Sequence, residues 1–110
     1  MELHVEEDNG LTRINLVGKL DLKGAEQIDM KFTAVAGVRP RVAVDLSGVD
    51  YIASMGIRTL VMCGKAAAQR GNRLVLFGAN EMVLKVITTS GLDQIVPIVD
   101  TWEAARALLS

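Results

Sequence analysis

The sequence predicts an α/β fold with element order β-β-α-β-α-β-α-β-α, in which a mixed five-stranded sheet packs with about four helices. Three observations carry this expectation. Residues 2–7 and 11–17 form two strand-like runs around Asn9-Gly10, a dipeptide suited to the left-handed conformations of a tight hairpin turn. Arg41–Leu46 and Arg73–Phe77 are short, apolar and β-branched, the pattern of strands buried on both faces. After the hairpin, helical and strand-like segments alternate, which implies right-handed crossovers and a largely parallel sheet.

In chain order, Leu3 and Val5 alternate with polar residues in the first strand, and Ile14 and Leu16 do so in the second. Gly18-Lys19-Leu20-Asp21 reads as a turn-like exit. Ala25, Ile28, Phe32 and Val35 recur at helical spacing and define an amphipathic helix over about residues 23–36. Gly37 is placed to end it, and Pro40 prevents its continuation. The strand at Arg41–Leu46 leads into a loop, and Ser54 is read as the N-cap of a long helix reaching about Arg70 and stopping at Gly71. Gly78 ends the Arg73–Phe77 strand. Asn80 caps a helix carrying Met82, Val83, Val86 and Ile87 on one face, closed by Gly91. Residues 94–99 read as a last strand, with Pro97 pointing to a sheet edge. Asp100-Thr101-Trp102-Glu103 resembles a capping box with Asp in the first place, opening a terminal helix that buries Trp102, Ala105 and Leu109.

Composition narrows the function. The 110 residues suit one domain, 1–110, and half are hydrophobic, so a core forms without metals or disulfides. Aromatic residues make up only 4%, which leaves Val, Leu, Ile, Ala and Met to fill that core. A net charge of −1 with no basic block argues against a nucleic-acid or acidic-lipid surface. The single cysteine, Cys63, has no partner, and a cytoplasmic setting is expected. The acidic, alternating N-terminus is unlike a secretory signal, and no apolar run approaches the roughly 18 residues of a membrane span. Enzyme signatures are missing as well. Gly64-Lys65-Ala66 lies mid-helix at the wrong spacing for a phosphate loop, and His4 is a lone histidine. No catalytic residue, metal or cofactor is expected.

The stretch from Asp45 to Leu60 stands apart. Ser54 at a helix start meets free backbone N–H groups and the positive end of the helix dipole, a setting hospitable to phosphate. Gly56 leaves the first turn bare, so another backbone can approach it. Along the helix, Ile57, Leu60, Val61, Gly64, Ala67 and Ala68 share the expected core face. Arg58, Met62, Lys65 and Gln69 run opposite, and Met55, Thr59, Met62 and Ala66 form a flanking stripe. That stripe reads either as a docking strip for another protein or as packing for a neighbouring helix, with Met55 and Met62 as its exposed members.

Gly18-Lys-Leu-Asp21, Asp45-Leu-Ser-Gly-Val49 and Ile52-Ala-Ser-Met-Gly-Ile-Arg58, together with Ser90-Gly-Leu92 and the Ala-rich final helix, resemble the STAS domains. The likeness is greatest to the stand-alone anti-sigma factor antagonists of bacteria, and it spans nearly the whole chain. It implies the STAS fold and a partner-switching role. In that role an unphosphorylated antagonist binds an anti-sigma factor that is itself a serine kinase, and so frees a sigma factor for transcription. The kinase then phosphorylates the serine at the helix start, which maps to Ser54, and a phosphatase resets the switch. With the flanking stripe, the resemblance points to a partner-binding surface of Asp21, Ala53, Ser54, Met55, Gly56, Arg58, Thr59 and Met62. Asp21 and Asp45 sit at strand exits and read either as neighbours of Ser54, as the resemblance implies for Asp21, or as acceptors for backbone N–H groups in their own turns. Two positions depart from the usual pattern. Ala53 stands where many relatives carry Asp or Ser, and Met55 where many carry a small residue. These departures keep a second reading open, that of a STAS scaffold or transporter-accessory subunit that binds a protein without a phosphorylation cycle.

Overall fold

The computed structural model describes residues 1–110 and has the expected order of elements. Strand β1 (Glu2–Asp8) pairs antiparallel with β2 (Leu11–Leu20) across Asn9-Gly10, whose φ angles of 51° and 83° are those a tight two-residue turn requires. Helix α1 (Leu22–Ala36), β3 (Arg41–Ile52), α2 (Ser54–Gln69), β4 (Arg73–Phe77), α3 (Glu81–Ser90), β5 (Ile98–Val99) and α4 (Trp102–Leu109) follow. The sheet order is β1-β2-β3-β4-β5, with every pairing after the hairpin parallel. No helix is long and apolar enough to cross a membrane.

Strand alternation divides the core into two layers. Ile14, Leu16, Val42, Val44, Leu46, Leu74 and Leu76 face one way and pack under α1, α2 and α3 with Ile28, Phe32, Leu60, Val83 and Ile87. Ala43, Val75 and Phe77 face the other way and meet Ala105 and Leu109 of α4.

Four boundaries differ from expectation. The second and third strands run further, to Leu20 and Ile52, because residues 48–52 pair with residues 17–20 instead of forming a loop. Register shifts between Asn15 and Val17 and between Gly18 and Lys19 break the apolar alternation without breaking the pairing. The last strand shrinks to Ile98–Val99, since Leu92–Gln94 form a 3-10 turn that buries Leu92. Pro97 does flank an edge strand, and its carbonyl accepts the Leu76 N–H at 2.9 Å. The cap of α4 is Thr101, whose hydroxyl accepts the Ala104 N–H at 3.1 Å, so Asp100 lies one residue outside. Thr101→Ala is therefore expected to cost about 1 kcal/mol and Asp100→Ala almost nothing. Chemical denaturation of the two variants side by side checks this.

Asn80 caps α3 as expected, accepting the Val83 N–H at 2.8 Å, and Gly91 ends that helix at φ 83°. Met82, expected on the buried face, is exposed, and Val86 is half-buried, which leaves Val83 and Ile87 as the anchoring pair.

Candidate functional site: the start of helix α2

The site begins where β3 ends. The Ala53 N–H donates to the Leu20 carbonyl at 3.0 Å, which extends the β2–β3 pairing by one residue and holds Ala53 in an extended conformation. Ala53 therefore occupies the N-cap, and its carbonyl accepts the Ile57 N–H at 3.1 Å. Ser54, expected as the cap, is instead the first helical residue. It makes no capping hydrogen bond and is exposed. Its hydroxyl has no structural duty. Gly56 is buried against the end of β2, and a Cβ there would meet the Leu20 carbonyl oxygen and come within 2.7 Å of the Leu20 side chain.

The buried face of α2 is rotated from the expected one. Leu60, Gly64 and Ala67 are buried, but so are Thr59 and Cys63, while Ile57 and Val61 are half-buried and Ala68 is exposed. The cause is α1, which lies along the Thr59–Cys63–Ala66 side, with Gly37 placed against Ala66. The flanking stripe is thus divided. Thr59 and Ala66 pack beneath α1, and Met55 and Met62 remain 39% and 60% exposed. The Thr59 hydroxyl donates to the Met55 carbonyl at 3.0 Å, and the residue floors a groove. Burial pushes the Cys63 thiol up to about 11, which keeps it protonated and inert.

Two grooves flank this turn. The one between α1 and α2, of about 550 Å3, is lined by Met55, Arg58, Thr59 and Met62 with Ala25, Glu26, Asp29 and Met30. The one between α2 and α3, of about 430 Å3, holds Ser54 and Ile57 with Lys85, Val86, Thr89 and Ser90. Ser54 and Met55 are adjacent in sequence but open onto different grooves. Met30, at 87% exposure, widens the methionine surface. Sequence reading passed it over, although its offset from Ile28 and Phe32 already set it outside the buried face of α1. Nothing in the sequence marked Lys85 and Thr89 as neighbours of α2, because their proximity arises from packing between helices distant in the chain.

Both carboxylates have partners of their own, although Asp21 directly follows Leu20, whose carbonyl anchors Ala53 beside Ser54. Asp21 is the N-cap of α1, accepting the Gly24 N–H at 2.8 Å, and it lines a separate hollow with Lys19, Lys23 and Gln27. Asp45 shares the α4-facing side of β3 with Ala43. It is only 8% exposed, pairs with Arg13 at 2.7 Å and accepts the Ser47 N–H at 2.9 Å. The Arg13 guanidinium in turn lies 5.2 Å from the Phe77 ring centre and 4.9 Å from that of Trp102. Burial acts to raise the Asp45 pKa, but the hydrogen bonds from Ser47 and the charge of Arg13 together hold it below the ordinary 3.8. A depressed folded-state pKa means that this contribution to stability is complete above about pH 4 and is lost as pH falls through the folded value. Asp45→Asn is expected to lose about 1–3 kcal/mol at pH 7, less than a fully enclosed pair because Arg13 keeps some solvent contact. Its deficit against wild type should shrink in unfolding curves taken from pH 5 down to pH 2.

Comparison with known proteins places this architecture. Residues 3–99 match the family model described as Mlab, STAS domain. A Bordetella bronchiseptica protein assigned as an anti-sigma factor antagonist, BtrV, is 32% identical over 97% of this chain and 93% of its own. The crystal structure of a Thermotoga maritima protein assigned as an anti-sigma factor antagonist superposes with a TM-score of 0.89 at 22% identity, covering 97% of this chain and 93% of that one. The Bacillus cell fate determinant SpoIIAA, solved in its phosphorylated form, superposes with a TM-score of 0.74 at 21% identity, over 99% of this chain and all of the other. The chain is a member of the STAS domain family, related in sequence and in fold to its anti-sigma factor antagonists.

Proposed function

We propose that this protein is a partner-switching antagonist. It binds an anti-sigma factor serine kinase while Ser54 is unmodified, is released when that kinase phosphorylates Ser54, and thereby controls sigma-factor-dependent transcription. A phosphatase acting on phosphorylated Ser54 restores binding. The observation that carries the reading is the exposed, uncommitted hydroxyl of Ser54 on a first helical turn held by backbone contacts. The kinship with anti-sigma factor antagonists supports it, as does the existence of a phosphorylated form of SpoIIAA.

The transfer itself is ordinary phosphoryl chemistry. The Ser54 Oγ forms a bond to the γ-phosphorus of kinase-bound ATP, the β–γ bridging bond breaks, ADP leaves, and the hydroxyl proton passes to a base of the kinase. On this chain's side the requirement is access, which the exposure of Ser54 provides. The partner surface is the first three turns of α2: Ala53, Ser54, Met55, Arg58 and Met62, with Gly56 and Thr59 as supports beneath it. Asp21, the residue after Leu20, contributes by fixing the start of α1 next to this surface.

Incubation with the cognate anti-sigma kinase and ATP, followed by mass spectrometry of the Ser54 peptide, tests the proposal. One phosphate on Ser54 supports it. An active kinase that leaves Ser54 unmodified overturns it in favour of the scaffold or transporter-accessory reading.

A further inference from the structure

The α2–α3 groove has a make-up that partner binding leaves unused. Of its six lining residues, Lys85 is the one that carries a charge, and no carboxylate accompanies it. Lys85 is exposed and takes no part in either ion pair of the molecule, Arg13–Asp45 or Arg39–Glu7. Glu81 stands one turn earlier on α3, a spacing at which helical ion pairs form, yet it is not paired with Lys85. Within the same hollow, the Ser90 hydroxyl is committed to the Ile87 carbonyl at 2.7 Å, and the Ser54 hydroxyl caps nothing.

The geometry points to Lys85 as the clamp of the phosphorylated state: a phosphate on the Ser54 Oγ turns into the α2–α3 groove and is held there by the Lys85 ammonium. This rests on the reading of Ser54 as the modified residue. Competing charges decide where the phosphate goes. The start of α2 offers it roughly half a positive charge, and the end of α3, which reaches the groove at Thr89 and Ser90, opposes it with roughly half a negative one. Those two effects oppose each other, and the second is weakened because the Gly91 N–H already engages the carbonyls of Ile87 and Thr88. Lys85 then supplies a full positive charge against the −1.5 to −2 or so of a phosphoserine. In the other direction lies the α1–α2 groove, where Glu26 and Asp29 stand against the single Arg58. Attraction and repulsion therefore both favour the side of Lys85. Phosphorylation fills one groove as well as charging a surface, and it leaves the methionine groove open.

The test installs phosphoserine at residue 54 during translation, so no kinase is needed and a failure of kinase recognition leaves the result readable. The second pKa of the phosphate, ordinarily about 6, is followed by 31P NMR in four proteins: otherwise wild-type, Lys85→Gln, Lys85→Arg and Arg58→Gln. Circular dichroism confirms that each is folded. The expected result is a second pKa about half a unit or more lower in the otherwise wild-type protein than in Lys85→Gln, recovered in Lys85→Arg and unchanged by Arg58→Gln. An unaltered value in Lys85→Gln, or a shift that follows Arg58 instead, overturns the assignment.

Discussion

Ser54→Asp is expected to bind the anti-sigma kinase at least about 100-fold more weakly than wild type, while Ser54→Ala binds about as wild type does. The size follows from what each side chain loses. The serine hydroxyl makes no capping hydrogen bond, so removing it in Ser54→Ala leaves no backbone group newly orphaned. A carboxylate at the first helical position gains roughly 0.3–1 kcal/mol from the helix dipole, which raises the melting temperature by a few degrees at most. Enclosing the same carboxylate in a protein interface with no countercharge costs several kcal/mol, and each 1.4 kcal/mol or so is tenfold in affinity. The interface cost exceeds the helix gain. Titration calorimetry of the three proteins against the kinase reads the affinity, and scanning calorimetry reads the fold. Equal affinities for the Asp and Ala variants would refute the switch, and so would a collapsed melting transition in Ser54→Asp.

Gly56→Ala should cost about 2 kcal/mol of stability, and Gly56→Val considerably more. A methyl group there meets the Leu20 carbonyl oxygen and lies 2.7 Å from Leu20 Cγ and 3.1 Å from Ile52 Cγ1. The carbonyl cannot retreat freely, because it already accepts the Ala53 N–H that anchors the start of the helix. Relief has to come from lifting the first turn of α2 off the sheet. Overpacking of this kind costs about 1–3 kcal/mol or more, and the roughly 1 kcal/mol gained in helix propensity recovers only part of it. Thermal unfolding should therefore shift down by about 10 °C for Gly56→Ala. A melting temperature equal to wild type would mean that the close approach of α2 to β2 is not what seats the helix.

Both expectations rest on a stretch whose importance is legible in the sequence but whose mechanics are not. The hairpin at Asn9-Gly10, the strands at 41–46 and 73–77, and the caps of α3 can be read directly, because local conformational preference and tertiary packing agree there. The helix start at residue 54 is legible only in part. A serine before an apolar helical run looks like a cap, yet the pairing of Leu20 with Ala53 fixes the boundary one residue earlier, and that contact joins residues far apart in sequence. The extra strand length at 47–52 is hidden for a similar reason. Ser47 and Gly48 carry turn chemistry, and it is the neighbouring strand that holds them extended at a register shift. Asp21 and Asp45 show the limit for sites. Their acidic side chains read equally as neighbours of the serine or as acceptors for local backbone N–H groups; both do accept such groups, from Gly24 and Ser47, and the ion pair of Asp45 with Arg13 depends on a strand distant in sequence. Helical periodicity likewise finds the amphipathic character of α2 but misjudges its azimuth, since only the position of α1 determines which flank is covered.

A helix seated by main-chain atoms has an evolutionary corollary. The start of α2 is pinned by the Ala53 amide and by the missing side chain of Gly56, and neither anchor involves the side chains of Ser54 or Met55. Met55 can be rewritten at little thermodynamic penalty, so on the proposed reading copies of this scaffold are able to diverge in partner while keeping one architecture and the Ser54 hydroxyl. Under that proposal, a change of partner asks for surface substitutions around the first turn and leaves the seating of the helix untouched.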